Sequence, residues 1–250
     1  MRLTVVGCAG SFPTPASPGS CYLVEHEGSR IVLDLGNGAL GALQEYVDVT
    51  DPGSLAGLVL SHCHVDHCVD AASLYVARHY HPAHRFGPLA LVGPVDARAR
   101  LAQVYGNSDA AFLDRVFAFG SLADGPRRIG AFAVEAVRAE HPVEAYCIKV
   151  SADGRSITYS GDTGPSAGLV RLARGTDIAL FEASFVGTGH APGLHMSGAD
   201  AGRAAADADA GLLLLTHLVA WNDPEQVRAE AAAVFDGPIE LARPGLTVTL

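Results

Sequence analysis

The feature that most constrains this chain is the hexapeptide HCHVDH at residues 62–67, which follows directly on the apolar run Leu58, Val59 and Leu60. Three imidazoles and a carboxylate within six residues are hard to account for as packing. Neutral imidazole suits zinc and similar ions, and a carboxylate adds charge and a hard oxygen ligand. The i, i+2 spacing of His62 and His64 fits an extended or tightly turned loop. The helical HExxH zinc motif needs i, i+4 spacing and is absent. A surface loop that is His-rich by chance is the bland alternative. The position of this cluster, after an apolar strand and before a helix, speaks against it.

The same arrangement of apolar strand, polar end and helix recurs along the chain. Residues 2–7 read as a strand, followed by a Gly/Pro/Ser loop over 8–20. Two runs at 21–25 and 30–35 flank the turn HEGS and read as a hairpin. Residues 36–47 carry helical spacing, and a second helix is expected from about His67 to Tyr80, stopped near Pro82. Strands are expected at 132–137, 145–150, 156–160, 178–181, 211–215 and 246–250, and helices at 197–208 and 224–235. Helices alternate with strands, yet hairpin pairs are present too. That mixture argues for layered sheets with helices outside rather than a purely parallel doubly wound sheet. No linker-like stretch divides the chain, so residues 1–250 are read as one domain.

Composition narrows the function classes. The formal net charge is −10, Lys149 is the only lysine, and no basic run is present that would follow a phosphate backbone. Extended nucleic acid is therefore a disfavoured partner, while a small anion held by metals stays open. The five cysteines are odd in number and form no framework, which fits a reducing compartment. No apolar run reaches the roughly 18 residues of a membrane span. The expectation is a soluble, cytoplasmic protein without a membrane partner. Self-association as a homodimer is left open.

One such cluster cannot fill two metal sites. Other strand-end residues, His141, Asp162 and His217, are the candidates to complete them. Each is weak alone: a lone His before Pro is usually a turn residue, and Asp162 can be an ordinary helix N-cap. Together they supply one carboxylate able to bridge two ions and a further His for each.

HCHVDH matches the HxHxDH signature of the metallo-β-lactamase superfamily, and His141, Gly161-Asp162-Thr163 and Thr216-His217 fall in the order of its later motifs. The opening GCAGS with Pro13 and the closing ARPGL resemble the ribonuclease Z-like branch. The resemblance implies an α/β (α+β) fold, a four-layer αββα sandwich of two mixed sheets with metals at one edge. It implies His62, His64 and His141 on one divalent ion and Asp66, His67 and His217 on the other, with Asp162 between them. Zinc is the default ion, with manganese or iron as alternatives. Asp66 is counted as catalytic as well as a ligand.

Glu182-Ala183-Ser184 and His195-Met196-Ser197-Gly198 resemble the paired Glu and His of ribonuclease Z-like phosphodiesterases. There the His is placed to protonate the leaving oxygen and the Glu orients it. The transfer-RNA-maturing members carry an inserted arm, whereas only twenty residues separate His141 from Asp162 here, and no basic insertion appears elsewhere. The chain instead resembles compact bacterial members that hydrolyse cyclic nucleotides. This makes a small-molecule phosphodiester, such as 3′,5′-cyclic AMP, the expected substrate. The rivals are an RNA-processing endonuclease, a carboxyl-ester, lactone or thioester hydrolase on the same scaffold, and a non-catalytic metal-binding regulator. His190, in a Gly/Pro loop near His195, is a candidate substrate contact. Trp221 either stacks on a base or covers the core. His79, His81 and His84 either line a pocket or end a helix in solvent. Cys63 is expected to be a non-ligand spacer and Cys68 to pack on the helix.

Overall fold

In a computed structural model that describes residues 1–82 and 87–250, two seven-stranded sheets lie face to face. His84 lies outside the described residues. The first sheet contains β1 (Arg2–Gly7), β2 (Cys21–His26), β3 (Ser29–Leu33), β4 (Gly57–Val59), β5 (Leu89–Gly93) and β6 (Phe117–Ser121). The second contains β7 (Arg127–Ile129), β8 (Phe132–Arg138), β9 (Tyr146–Ala152), β10 (Arg155–Tyr159), β11 (Ile178–Glu182), β12 (Leu212–Thr216) and β13 (Ile239–Leu241). The last strand, β14 (Thr247–Thr249), returns to the first sheet, giving the orders β14-β1-β2-β3-β4-β5-β6 and β13-β12-β11-β10-β9-β8-β7. Each sheet is mixed. β14-β1-β2-β3 pair antiparallel and β3 to β6 parallel, while β7 to β10 pair antiparallel and β10 to β13 parallel.

The period of two along each strand explains the layers. Ile31, Leu33, Val59, Ile178, Leu180 and Leu214 point between the sheets, where they meet Phe132, Val134 and Ile148. Their neighbours Val32, Leu58 and Leu60 face outward under α1 (Ala39–Leu43), α3 (Asp70–His79) and α4 (Ala97–Tyr105). Ala179, Phe181, Leu213 and Leu215 face outward under α5 (Ala167–Ala173), α6 (Gly198–Asp207) and α7 (Pro224–Ala232). Strands covered on both faces read as unbroken apolar runs, and each fully buried aliphatic side chain contributes about 1.5–3 kcal/mol. The result is the αββα sandwich. Among the described residues no helix is long and apolar enough to cross a membrane.

Two expectations shift in register. The helix expected over 36–47 forms only at Ala39–Leu43, because Gly38 sits in the left-handed region at φ 79° and cannot lie inside a helix. The helix expected from His67 starts two residues earlier, as α2 (Val65–Cys68), with the N–H groups of His67 and Cys68 donating to the His64 carbonyl. HCHVDH is therefore an extended strand exit for His62 and His64 and a helical turn for Asp66 and His67.

That turn is clamped by backbone. Ser20 N–H donates to the Asp66 carbonyl at 2.9 Å and Leu35 N–H to the His67 carbonyl at 2.7 Å. Gly36 lies between these contacts, and a Cβ there would sit 2.0 Å from the Asp66 carbonyl oxygen. Gly36→Ala should therefore lower the unfolding free energy by about 1–3 kcal/mol, the usual cost of overpacking. Gly41→Ala, where a Cβ meets nothing within 4 Å, should raise it by about 0.4–1 kcal/mol. Urea titration compares the two, and equal stabilities would refute the clamp.

Candidate metal centre

The strand ends converge at one edge of the sandwich. β3, β4, β10, β11 and β12 lead at their C-terminal ends into Asp34, His62, Asp162, Glu182 and His217 respectively, which is where open α/β sheets bind ligands. His141 lies in the loop between β8 and β9. This loop is tied to the Asp162 turn by Gly164 N–H donating to the Glu140 carbonyl (2.8 Å) and Glu140 N–H to Thr163 Oγ1 (3.0 Å).

All seven side chains singled out as ligands meet there. His62 Nε2 and His64 Nδ1 are 3.0 Å apart, and His141 Nε2 is 3.3 Å from His64 Nδ1. His67 Nε2 and His217 Nε2 are 3.2 Å apart, with Asp66 Oδ2 3.3 Å from the first and 3.0 Å from the second. Asp162 stands between the two groups. Its Oδ2 is 3.6 Å from His62 Nε2, while its Oδ1 is 3.2 Å from His67 Nε2 and 3.5 Å from His217 Nε2.

On four of the five histidines, His62, His67, His141 and His217, the opposite ring nitrogen is committed outward, which sets the tautomer. His141 Nδ1–H donates to the Leu194 carbonyl at 3.0 Å and His67 Nδ1–H to Asp34 Oδ2 at 2.7 Å. Ser61 Oγ–H donates to Asp34 Oδ2 at 2.6 Å, so it receives His62 Nδ1–H at 3.1 Å. Ser184 Oγ–H donates to Glu182 Oε2 at 2.9 Å and receives His217 Nδ1–H at 2.8 Å. The inward Nε2 atoms of these four rings thus carry lone pairs, those of His67 and His217 facing each other at 3.2 Å, and Asp162 Oδ1 is buried with no hydrogen-bond partner. Lone pairs so placed repel unless a cation sits among them. His62, His64, His141 and Asp162 form one donor set of imidazole and carboxylate and Asp66, His67 and His217 another, both suited to divalent ions, and Asp162 also groups with His217 and His195.

The field of the cluster shows in its titrating groups. Burial, with His67 nearby, holds His62 well below the usual histidine value, and burial likewise lowers His64. Burial opposes ionisation of Asp162, but His217, His67 and His62 outweigh it and hold that carboxyl well below the usual range. Burial opposes ionisation of Asp66 too, and its neighbours His217 and His67 outweigh it in the same sense. His67 moves the other way: burial lowers it, yet Asp162 and Asp34 raise it well above its ordinary value.

Glu182 is fully buried, not a surface carboxylate, and its Oε1 accepts from Thr163 N–H (2.9 Å) and His195 Nδ1–H (2.8 Å). The His195 ring lies 5.7 Å from His141 and 5.6 Å from His217, with Nδ1 3.9 Å from Asp162 Oδ2. Burial lowers its pKa, but the hydrogen bond and charge of Glu182, with Asp162 behind, raise it overall. His190 is exposed, stacks on Phe185 (4.3 Å, 18°) and donates Nε2–H to the Val186 carbonyl. With His195 it lines a cleft of about 430 Å³ formed by the glycine-rich loop 187–193. His79 stacks on Tyr75. Cys68 is buried beneath the first sheet with Cys63 packed against the same cluster.

Asp34 is the residue the motifs did not reveal. It is fully buried and accepts from Ser61 N–H (2.6 Å), Ser61 Oγ–H (2.6 Å), His67 Nδ1–H (2.7 Å) and Tyr159 O–H (2.8 Å). A signal was present, because a carboxylate interrupting the run Ile31-Val32-Leu33-Asp34-Leu35 must find buried partners.

A family model described as a beta-lactamase superfamily domain matches residues 29–218, a span that holds Asp34, all seven clustered side chains, Glu182 and His195. The chain belongs to the beta-lactamase superfamily. It is a metallo-hydrolase of that superfamily, and the family implies divalent metal at the His/Asp cluster. An uncharacterized protein of Mycobacterium leprae is 43% identical over 254 residues, covering 99% of this chain and 88% of the relative. The probable metallo-hydrolase YhfI of Bacillus subtilis is 28% identical over 247 residues and 98% of each chain. The crystal structure of YhfI, described as a metallo-beta-lactamase fold protein, superposes with a TM-score of 0.88 at 27% identity, covering 99% of this chain and 98% of that one. The short form of human tRNase Z shares the fold at 18% identity and a TM-score of 0.75, over 100% of this chain and 99% of that one.

Asp34→Asn should weaken metal retention about 10–100-fold, the usual effect of losing a group that orients a ligand. The amide NH₂ cannot accept from Ser61, His67 or Tyr159. Metal content after dialysis against graded chelator measures this, with circular dichroism to confirm the fold. Retention equal to the wild type would remove Asp34 from the centre.

Proposed function

We propose that the chain is a phosphodiesterase that holds two divalent ions, zinc by default, and acts on small substrates, with 3′,5′-cyclic nucleotides such as cyclic AMP as the favoured class. The first ion would be held by His62, His64 and His141 and the second by Asp66, His67 and His217, with Asp162 reaching both. Such a pair supplies positive charge to phosphoryl oxygens and acidifies water.

The observation that carries the reading is the Glu182–His195 pair. His195 Nδ1 is taken by a buried carboxylate at 2.8 Å, so its Nε2 is the nitrogen left to hold a mobile proton. The ring stands beside both ligand groups without being needed to complete either. A ribose alkoxide is a poor leaving group, and a positioned imidazolium is the usual donor near neutral pH. Glu182 holds the ring and favours its charged form. Its Oε1 also holds Thr163 N–H beside Asp162, and its Oε2 reaches His217 through Ser184. One carboxylate thus keeps the proton donor in register with the metal ligands. An ester, lactone or thioester hydrolase on this scaffold would not need the pair.

Extended RNA is a poor fit. The ribonuclease Z of Haloferax volcanii is 26% identical to this chain in an alignment of 301 positions, against 250 residues here. The net charge of −10 offers no groove to follow a phosphate backbone.

A hydrolysis panel with metal analysis tests the proposal. It comprises cyclic AMP, cyclic GMP, an aryl phosphodiester, a precursor transfer RNA, a lactone and a thioester. Turnover should be confined to the small phosphodiesters, and specific 3′-trailer cleavage of the RNA would overturn the reading. His195→Ala should keep its metal and lose about 10²–10⁴-fold in cyclic nucleotide turnover. It should retain far more activity on the aryl diester, whose leaving oxygen needs little protonation. Equal losses on both with metal intact would exclude proton donation by His195.

A further inference from the structure

Two aromatic rings stand in water beside the centre. Trp221, the single tryptophan of the chain, is 73% exposed and so does not cover the core, and Phe12 is 41% exposed. Their rings lie 5.7 Å apart at 32°. Side chains of this size ordinarily gain by burial, and an exposed apolar patch at the rim of a site marks a binding surface.

The segments that carry the two rings are tied down by hydrogen bonds. Phe12 N–H turns back onto the Gly10 carbonyl at 2.8 Å, a γ-turn that places Ser11 at φ 64°, where residues other than glycine are uncommon. Ser11 N–H points at His217 Nε2, 3.3 Å away. Gly10 N–H donates to the Leu218 carbonyl, and a Cβ on Gly10 would meet the His217 carbonyl oxygen at 2.5 Å. On the other side, the side-chain Nδ2–H of Asn222 donates to the Ser184 carbonyl at 2.8 Å. Phe12 and Trp221 are thus bracketed on the backbone around His217. Phe12 directly follows the residue whose N–H faces the centre, so its ring lies within about 12 Å of His217 Nε2, and the Trp221 ring beside it within about 18 Å. A nucleotide places its base within such a distance of its phosphate.

We propose that Phe12 and Trp221 form a stacking platform for the heterocyclic base of a nucleotide whose phosphate lies at the metal centre. This rests on the phosphodiesterase reading above. A base offers a π-face whatever its edge carries, so the platform grips nucleotides with little discrimination among them.

Trp221 is its own reporter. Metal-loaded protein is titrated with adenosine 5′-monophosphate and with ribose 5-phosphate while its fluorescence is followed. KM is measured for cyclic AMP and for the base-free methyl riboside 3′,5′-cyclic phosphate in wild type, Trp221→Ala, Trp221→Phe and Phe12→Ala. The nucleotide should quench saturably and the sugar phosphate should not. Trp221→Ala should lower the preference for cyclic AMP over the base-free substrate by about tenfold, as expected when a base loses one stacking partner, and Trp221→Phe should restore most of it. Equal quenching by both ligands, or a preference retained in Trp221→Ala, overturns the platform. Conversion of a dimer to a monomer by Trp221→Ala with the preference intact also overturns it, since the rings would then face a second copy. If the wild type hydrolyses neither cyclic phosphate, the phosphodiesterase reading fails, and the two quenching titrations still decide the platform.

Discussion

The buried carboxylate of Asp34 joins the two sheets at the edge where the chemistry is gathered. Its four donors come from three places: Ser61 at the exit of β4, His67 in α2, and Tyr159 at the end of β10 in the opposite sheet. A carboxylate removed from water costs several kcal/mol unless it is fully hydrogen-bonded, so this group can exist only where those elements meet. Satisfying it aligns Ser61, which orients His62, and fixes the tautomer of His67. The ligand nitrogens are thus aimed by a residue that does not point into the centre itself. Asp34 takes a left-handed backbone conformation, φ 58°, as does His217 at φ 55°. These uncommon conformations at non-glycine residues lie where strand exits turn into the site, and the surrounding hydrogen bonds hold them.

A second carboxylate repeats the device on the other side. Glu182 receives Thr163 N–H, His195 Nδ1–H and, through Ser184, the His217 ring. The flanking acids Asp34 and Glu182 set geometry, while Asp66 and Asp162 face inward with the imidazoles. The arrangement accounts for opposite shifts within one cluster. Burial opposes the charged form on both sides, yet the imidazoles around Asp162 lower that carboxyl, and Asp162 and Asp34 raise His67. The centre is a concentration of negative groups that is tolerable only with positive charge among them. Protons on imidazole and divalent cations are the two ways to supply that charge.

The sequence made the architecture legible where periodicity was long and chemistry was local. The HEGS hairpin closes through Glu27 (φ 47°) and Gly28 (φ 78°), the left-handed pair that a two-residue turn requires. The strands preceding Glu182 and His217 ended within a residue of where their apolar runs stop, because strands covered on both faces have few polar positions to blur the boundary. The region holding β5, β6 and β7 was less legible. Arg127–Ile129 is only three residues long and carries two arginines, and Phe117–Ser121 ends in Gly-Ser, so neither is marked by alternation or an apolar run, whereas Leu89–Gly93 does carry an apolar run, though it is not among the expected strands. At the site, residues with motif spacing could be named in advance. Asp34 stood out only as a carboxylate within an apolar run, and its partners, like the roles of Ser61, Ser184 and the Leu194 carbonyl, depend on which strands lie side by side, which single-sequence patterns do not carry.

Substrate choice follows a different logic from the centre. The human tRNase Z short form and a diphosphatase of the PhnP family share this fold at 18% and 16% identity, so the sandwich alone does not select a substrate. The buried cluster is over-determined: its ligands are oriented by Asp34, Glu182 and backbone carbonyls, and few substitutions leave them satisfied. Selection must therefore fall on the rim, where side chains are free to vary without unsatisfied buried charge. In this chain the rim consists of the glycine-rich loop 187–193 beside His195 and the segment around Ser11 that is bonded to the chain following His217. Both border the proton donor or a ligand, and neither contributes to the strand pairing of the two sheets. A scaffold built this way can hold its metal chemistry constant while the groups that read the rest of the substrate change.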